Sequence, residues 1–226
     1  MKITVAKDGP YLVSGNIPLL RGEIVTDEDG FSVDIKELET LKTAETYALC
    51  RCGHSANKPF CDGSHVKAGF QGQTTATHES HDSKSTEFKD AELTLLDDMD
   101  LCISARFCDR GIKVWNYVKQ SDDPDSKKDA INEACLCPSG RLVVFDADNQ
   151  PIETKYEPSI MILEDPSKGL SSAYFVRGGI PVVDEDGNEY EIRNRQTICR
   201  CGGSHNKPFC DGTHYSVGFN DGAVST

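Results

Sequence analysis

One pattern of cysteine and histidine occurs twice and constrains this chain more than any other feature. Residues 50–65 read CRCGHSANKPFCDGSH and residues 199–214 read CRCGGSHNKPFCDGTH, so the two copies differ at three positions. A repeat of this kind indicates two copies of one structural unit in a single chain. Three cysteines and one histidine within sixteen residues can close around one compact metal centre, because thiolate and imidazole ligands both suit iron or zinc.

The spacing predicts how the ligands of each copy pair. Cys50 and Cys52 are two residues apart, so on an extended strand both sulfurs share a face. Cys61 and His65 are four apart and meet on the first turn of a helix, with Asp62 as a capping residue. Zinc is the alternative metal, although zinc sites usually separate paired cysteines by two or more residues. The second copy repeats the set with Cys199, Cys201, Cys210 and His214.

The strings CDGSH at 61–65 and CDGTH at 210–214, each preceded by CRC and KPF, resemble the CDGSH iron–sulfur family, also called NEET proteins. The resemblance implies one [2Fe–2S] cluster per motif, each held by three cysteines and one histidine. It also implies two small β-rich halves that pair within the chain as a pseudo-dimer. The implied ligands are Cys50, Cys52, Cys61 and His65 for one cluster, and Cys199, Cys201, Cys210 and His214 for the other.

A third group of cysteines lies between the repeats. Cys102 and Cys108, with Cys137 and its following proline, resemble a single-cluster bacterial-type ferredoxin, in which C-x2-C-x2-C is followed by a remote Cys-Pro. Ala105 stands at the middle cysteine position. The site is therefore either a [3Fe–4S] cluster or a [4Fe–4S] cluster with Cys135 as fourth ligand. Cys135 as a small buried apolar residue fits equally well, and unrelated buried cysteines are the alternative for the whole group.

The resulting fold class is α+β in three parts. Residues 1–88 and 153–226 form the two CDGSH-type halves, since short alternating runs with Asp-Gly turns predict strands and hairpins. Residues 89–152 form a ferredoxin-like insert, with a short helix over 127–134 and a strand over 141–145. Residues 72–88 read as a polar linker in which His78 and His81 are solvated. His54 and His205 lie off the shared positions and are predicted to be surface residues.

Charge and cysteine usage restrict the partners and the compartment. The net charge of −13 argues against nucleic acid and suits a basic redox partner, although solubility alone explains it as well. Ten cysteines without a disulfide-like pattern, and no apolar run near ~18 residues, predict a cytoplasmic protein without a membrane span. The chain is expected to be monomeric, with its pseudo-dimer formed internally.

These features predict an electron-transfer protein rather than a stand-alone enzyme, because G-x-S-x-G, phosphate-loop and H-E-x-x-H motifs are missing from the sequence. Two alternatives are storage or delivery of a cluster to an apo-acceptor, and service as the electron-transfer subunit of a larger oxidoreductase. One histidine in place of a thiolate raises a cluster's potential. It also makes the cluster acid-sensitive, because only neutral imidazole binds metal.

Overall fold

A computed structural model describes residues 1–90 and 92–224, and in them the chain forms thirteen strands and five α-helices. The strands are β1 Lys2–Val5, β2 Tyr11–Ser14, β3 Leu19–Thr26, β4 Ser32–Leu41, β5 Thr46–Leu49, β6 Thr86–Lys89, β7 Thr94–Asp97, β8 Leu142–Phe145, β9 Pro151–Ile152, β10 Ser159–Asp165, β11 Leu170–Arg177, β12 Val182–Val183 and β13 Arg195–Ile198. The helices are α1 Ser64–Lys67, α2 His81–Lys84, α3 Val114–Val118, α4 Pro124–Cys135 and α5 Thr213–Ser216.

The two outer sheets exchange strands. One sheet has the order β12-β1-β2-β5, and the other has the order β13-β11-β10-β3-β4. The exchanged pairings are both parallel, with Ile3 of β1 opposite Val182 of β12 and Ile160 of β10 opposite Leu19 of β3. Because each sheet contains a strand from the other end of the chain, separating the two ends would leave backbone hydrogen-bonding groups unpaired.

Two tyrosines at the centre of the shared core tie each sheet to the opposite cysteine motif. Tyr11 and Tyr174 meet edge to face, with ring centroids 6.3 Å apart. The Tyr11 hydroxyl donates to the carbonyl of Cys199 at 3.0 Å, and the Tyr174 hydroxyl donates to the carbonyl of Cys50 at 3.0 Å. Burial raises the pKa of both phenols, so both remain donors. The fold around each motif is thus set by a side chain from the other half.

The residues between the repeats form a third sheet, antiparallel, in the order β6-β7-β8-β9. Helix α4 begins where Asp123 accepts a hydrogen bond from the backbone N–H of Ser126, and it packs with α3 on this sheet. The predicted helix and closing strand are both present, the helix being longer than predicted and the strand running from Leu142 to Phe145. The β-rich ends and this smaller mixed layer together make an α+β chain.

One buried arginine is a main link between this layer and the second half. Arg195 of β13 is 1 % exposed, and its guanidinium lies 2.6 Å from the carboxylate of Glu153. The same guanidinium donates to backbone carbonyls at the end of α4 and in β8, those of Ala134, Cys135, Cys137 and Leu142. Because one side chain of β13 bonds both the end of α4 and the start of β8, Arg195 helps to hold the insert against the second half.

The stretch predicted to be a solvated linker is instead packed on the protein. His81 is 4 % exposed, and its Nε2 lies 2.9 Å from the carbonyl oxygen of Arg141. His78 is exposed on one side but stacks on Tyr190 at 4.1 Å, with Nε2 3.1 Å from Asp184. The prediction was wrong for His81 and incomplete for His78, because a polar composition does not reveal tertiary acceptors. His54 and His205 are exposed, as predicted.

No helix in the described residues is of a length and apolarity that would let it span a membrane.

Candidate metal centres

The first two cysteines of each outer motif lie at the distance expected for two ligands of one metal. Cys50 Sγ and Cys52 Sγ are 3.8 Å apart, and Cys199 Sγ and Cys201 Sγ are 3.9 Å apart. Two sulfurs each about 2.3 Å from a tetrahedral metal are separated by about 3.8 Å. These cysteines lie just beyond the ends of β5 and β13 rather than within the strands, so the loop after the strand, and not the pleat, sets this spacing.

The third cysteine and the histidine of each motif form a second pair. Cys61 Sγ lies 3.4 Å from His65 Nδ1, and Cys210 Sγ lies 3.3 Å from His214 Nδ1. A sulfur at about 2.3 Å and a nitrogen at about 2.0 Å from a tetrahedral metal are about 3.5 Å apart. The sites therefore offer Nδ1, not Nε2, as the imidazole ligand.

The helix in this second pair begins later than the spacing suggested. α1 begins at Ser64 and α5 at Thr213, so Cys61 and Cys210 precede the first turn. Gly63, at φ 86°, takes the position before α1, and Asp62 accepts the backbone N–H of Ser64 at 3.0 Å. A left-handed residue there requires glycine, because a Cβ would be strained at this φ. The Asp-Gly turn therefore brings thiol and imidazole together.

The four predicted ligands of each outer motif come as two pairs. Among residues 1–90 and 92–224, no three His, Cys, Asp or Glu side chains converge on a single ion. A pair of ligands on each of two metals is the arrangement that a binuclear cluster requires. Burial raises the pKa of the Cys210 thiol, so a thiolate there requires a compensating cation. The donor set and its pairing fit a [2Fe–2S] cluster.

The two outer sites differ in their access to water. His214 is 4 % exposed, its Nε2 lies 3.3 Å from Ser172 Oγ, and burial lowers its pKa to about 4. His65 is only partly buried, and the next residue, Val66, is 76 % exposed. Near-identical motifs therefore place one histidine at the surface and the other in the interior.

The middle group brings three of its four cysteines together. The residues lining one cavity include Cys102, Cys108, Cys137 and, at the position of the missing cysteine, Ala105. Burial, with the neighbouring Cys137, raises the pKa of Cys108 to about 12. Cys135 lies outside this lining, and its thiol is 3.5 Å from the carbonyl oxygen of Ile152. Three of the four cysteines thus line the cavity, whereas the Cys135 thiol contacts Ile152.

Sequence reasoning missed the arginine of this middle site. Arg141 Nη1 donates to Cys102 Sγ at 3.1 Å, while its other nitrogens bind Asp97 at 2.6 and 2.8 Å. A guanidinium on a thiolate sulfur stabilises negative charge there. The only signal in the sequence was one arginine directly after the Cys-Pro-Ser-Gly segment, which does not by itself indicate a partner.

The three sites adjoin one another through backbone contacts at glycines. A Cβ on Gly53 would lie 2.6 Å from the carbonyl oxygen of Cys201, and one on Gly202 would lie 2.7 Å from that of Cys52. A Cβ on Gly212 would lie 3.0 Å from the carbonyl oxygen of Cys102. The outer loops therefore touch each other, and the second of them also touches the middle site.

Comparison with known families agrees with this arrangement of sites. Residues 8–66 and 172–215 match the family described as iron-binding zinc finger, CDGSH type, and residues 88–147 match the family described as divergent 4Fe-4S mono-cluster. No curated protein matches the chain. The chain is an iron–sulfur protein. More particularly, it carries two CDGSH-type segments with a divergent 4Fe–4S mono-cluster domain between them, the architecture predicted from the sequence.

Iron content distinguishes the roles of the neighbouring cysteines 135 and 137. We expect Cys137→Ser to lower the iron content of anaerobically isolated protein by about three or four atoms per chain, because the middle cluster loses a ligand. Cys135→Ser serves as the matched variant, and it should leave the iron content unchanged because its thiol points to Ile152. An equal loss of iron in both variants would show that Cys135 is a ligand.

Proposed function

We propose that this protein is an electron carrier that holds three iron–sulfur clusters. Two [2Fe–2S] clusters would be bound by the three cysteines and one histidine of each outer motif, and a [3Fe–4S] or [4Fe–4S] cluster by Cys102, Cys108 and Cys137. Such clusters, when bound, accept and release single electrons. The protein would act as a redox carrier and not as a stand-alone enzyme.

The contact between the middle site and the second outer site carries this proposal. The backbone of Cys102 packs against Gly212, and the Asn206 side chain donates to the carbonyl of Asp100 at 3.1 Å. Ile103, Ala105 and Phe107 share one buried cluster with Cys210. Storage of clusters does not require the middle site to lie directly beside an outer one, whereas electron transfer between the two sites does.

The outer halves would act as a pseudo-dimer within the chain. Three reciprocal features support it: the two exchanged parallel strands, the two tyrosines that each reach the opposite motif, and the paired contacts of Gly53 and Gly202. The insert would be ferredoxin-like, with its cysteine cavity facing the second half. The chain would then work as a monomer.

The partner would be a redox protein with a basic docking surface, since the net charge of −13 attracts one and repels nucleic acid. All ten cysteines are unpaired, which fits a reducing compartment, and we place the protein in the cytoplasm. Neither a nucleic acid nor a membrane surface is part of this proposal.

Magnetic coupling between clusters tests the proposal. Full reduction of the holo protein should give an electron paramagnetic resonance spectrum in which the signal of one outer cluster is broadened or split by the middle one. Cys137→Ser should remove the part of the splitting that the middle cluster causes and leave any coupling between the two outer clusters, while Cys135→Ser should keep the native spectrum. An absence of magnetic coupling between the clusters of the native protein would contradict the proposed electron-carrier function. Dissociation of the clusters on the first reduction would contradict it as well.

A second function is favoured by one observation. The partial exposure of His65 gives solvent and an acceptor protein access to the first outer site. If absorbance and iron pass from the oxidised holo protein to an apo-ferredoxin, and reduction is not reversible, delivery of a cluster is the better description. Co-purification with a flavin- or metal-containing chain would instead indicate an oxidoreductase subunit.

A further inference from the structure

Each outer motif places one arginine between its first two cysteines, and both arginines are buried. Arg51 and Arg200 are each 1 % exposed. Each guanidinium lies between a tyrosine and a phenylalanine ring. The distances from the guanidinium carbon to the ring centroids are 5.5 Å to Tyr11 and 5.2 Å to Phe70 for Arg51, and 5.7 Å to both Tyr174 and Phe219 for Arg200. The two arginines therefore have equivalent aromatic surroundings.

The backbone acceptors of the two arginines also correspond. Arg51 Nη2 donates to the carbonyl of Ala6 at 2.9 Å, and Arg200 Nη1 donates to the carbonyl of Leu163 at 3.4 Å. Ala6 directly follows β1, and Leu163 lies in β10, the strand that occupies the same place in the other sheet. The residues that come next in the chain are therefore equivalent in position, and they are Lys7 and Glu164.

The charges around the two arginines differ at these positions and at one other. Glu164 Oε1 lies 2.9 Å from Arg200 Nη2 and 3.9 Å from Arg21, and Asp221 forms a second ion pair with Arg200. Both carboxylates are buried, with side chains 6 % and 2 % exposed. The second guanidinium is thus neutralised by direct contact.

Arg51 has no carboxylate in contact among the ion pairs of the described residues. Its guanidinium donates to the backbone carbonyls of Ala6, Gly9 and Gly72, and Gly72 stands two residues after Phe70 just as Asp221 stands two after Phe219. The carboxylates of Asp8 and Glu185 are nearby but bind the backbone N–H groups of Gly72 and Thr74 instead. The first site therefore has a buried guanidinium without a carboxylate in contact, whereas the guanidinium of the second contacts two.

We propose that the two outer sites are redox-inequivalent, with the first site, on Arg51, at the higher reduction potential and the second, on Arg200, at the lower. A cluster gains one negative charge on reduction, and a buried cation without a carboxylate in contact stabilises the reduced form more than one that is ion-paired. Burial strengthens the interaction, because water screens it less. The glycine contact with the middle site belongs to the second site.

This inference rests on the proposed binding of a cluster at each outer site, and it gives electron flow a direction. An electron that enters at the middle site meets the second outer site first, because Gly212 adjoins Cys102. It then moves to the first site, whose loop touches the second through Gly53. The first site, with its partly exposed histidine, would therefore be the one that donates the electron to a partner protein.

A potentiometric titration of the holo protein tests the difference. At the potential where the first site is half reduced, the reduced-to-oxidised ratio of the second should be at least tenfold lower, a gap of about 59 mV for one electron. His65→Cys assigns the midpoints, because a fourth thiolate lowers only the midpoint of the first site. Asp221→Asn and Glu164→Gln should each raise the second midpoint towards the first. Asp148→Asn, in an exposed turn of the insert, removes one negative charge as a control and should leave both midpoints unchanged.

Coincident midpoints, reduction of the second site first, or an unchanged gap in Asp221→Asn would each overturn the inference while leaving two bound clusters. A protein that binds no iron at the outer motifs would overturn the proposed function together with the inference. Iron content and visible absorbance, measured before the titration, tell these results apart.

Discussion

At pH 5 the first outer site should lose its visible absorbance at least tenfold faster than the second. Free imidazole takes up a proton near pH 6.5, and a protonated imidazole cannot bind metal. Burial lowers the pKa of His214 to about 4. This ring therefore stays neutral, and able to bind metal, well below the pH at which free imidazole is protonated. His65 is partly exposed, so protons reach it directly from solvent. The second site should therefore keep its cluster to a lower pH than the first.

Replacement of the histidines assigns the two phases of this decay. His65→Cys should remove most of the fast phase, because thiolate replaces the proton-sensitive ligand at the exposed site. His214→Cys should alter the slow phase alone and serves as the matched control. Stopped-flow absorbance after a jump from pH 7.5 to pH 5 measures both. Decay at a single rate, or a fast phase that persists in His65→Cys, would show that histidine protonation does not control cluster loss.

Arg195→Ala should lower the free energy of unfolding of the insert by about 1.5–3 kcal/mol, because it removes a buried, charged hydrogen-bond donor and leaves the partly exposed Glu153 without its cation. The same substitution also removes the guanidinium donor from the carbonyls of Ala134, Cys135 and Cys137. Since Cys137 lies two residues after the end of α4, we also expect the middle cluster to be lost first on heating.

The single tryptophan allows the insert to be followed by itself. Trp115 lies in α3, and its Nε1 donates to Asp97 at 3.0 Å. Urea unfolding recorded by Trp115 fluorescence should shift to lower denaturant in Arg195→Ala, with an intermediate shift in Arg195→Lys, which keeps the charge but loses the planar fork. An unchanged midpoint in Arg195→Ala would mean that other contacts hold the insert to the second half.

The ligand pairs were predictable from the sequence because they are local. Cys50 and Cys52 are two residues apart and Cys61 and His65 are four apart, so a short loop or turn fixes each distance whatever the rest of the chain does. The repeat made the same prediction twice. Even so, the sequence misplaced the backbone that produces these distances, putting into a strand and a helix what the structure builds from a loop and an Asp-Gly turn.

The differences between the two repeats depended on the tertiary structure. The spacing of residues within each sixteen-residue motif does not show which strands are exchanged between the sheets or what covers His214. It also does not show that Glu164 and Asp221 contact Arg200. Those contacts join positions far apart in the chain, and a sequence pattern records only neighbours along it. The sequence by itself determined which cysteine and histidine side chains lie close together within each motif. Only folding decided which site is buried, which is charged and which adjoins the middle cysteines, because burial and charge compensation arise from long-range packing.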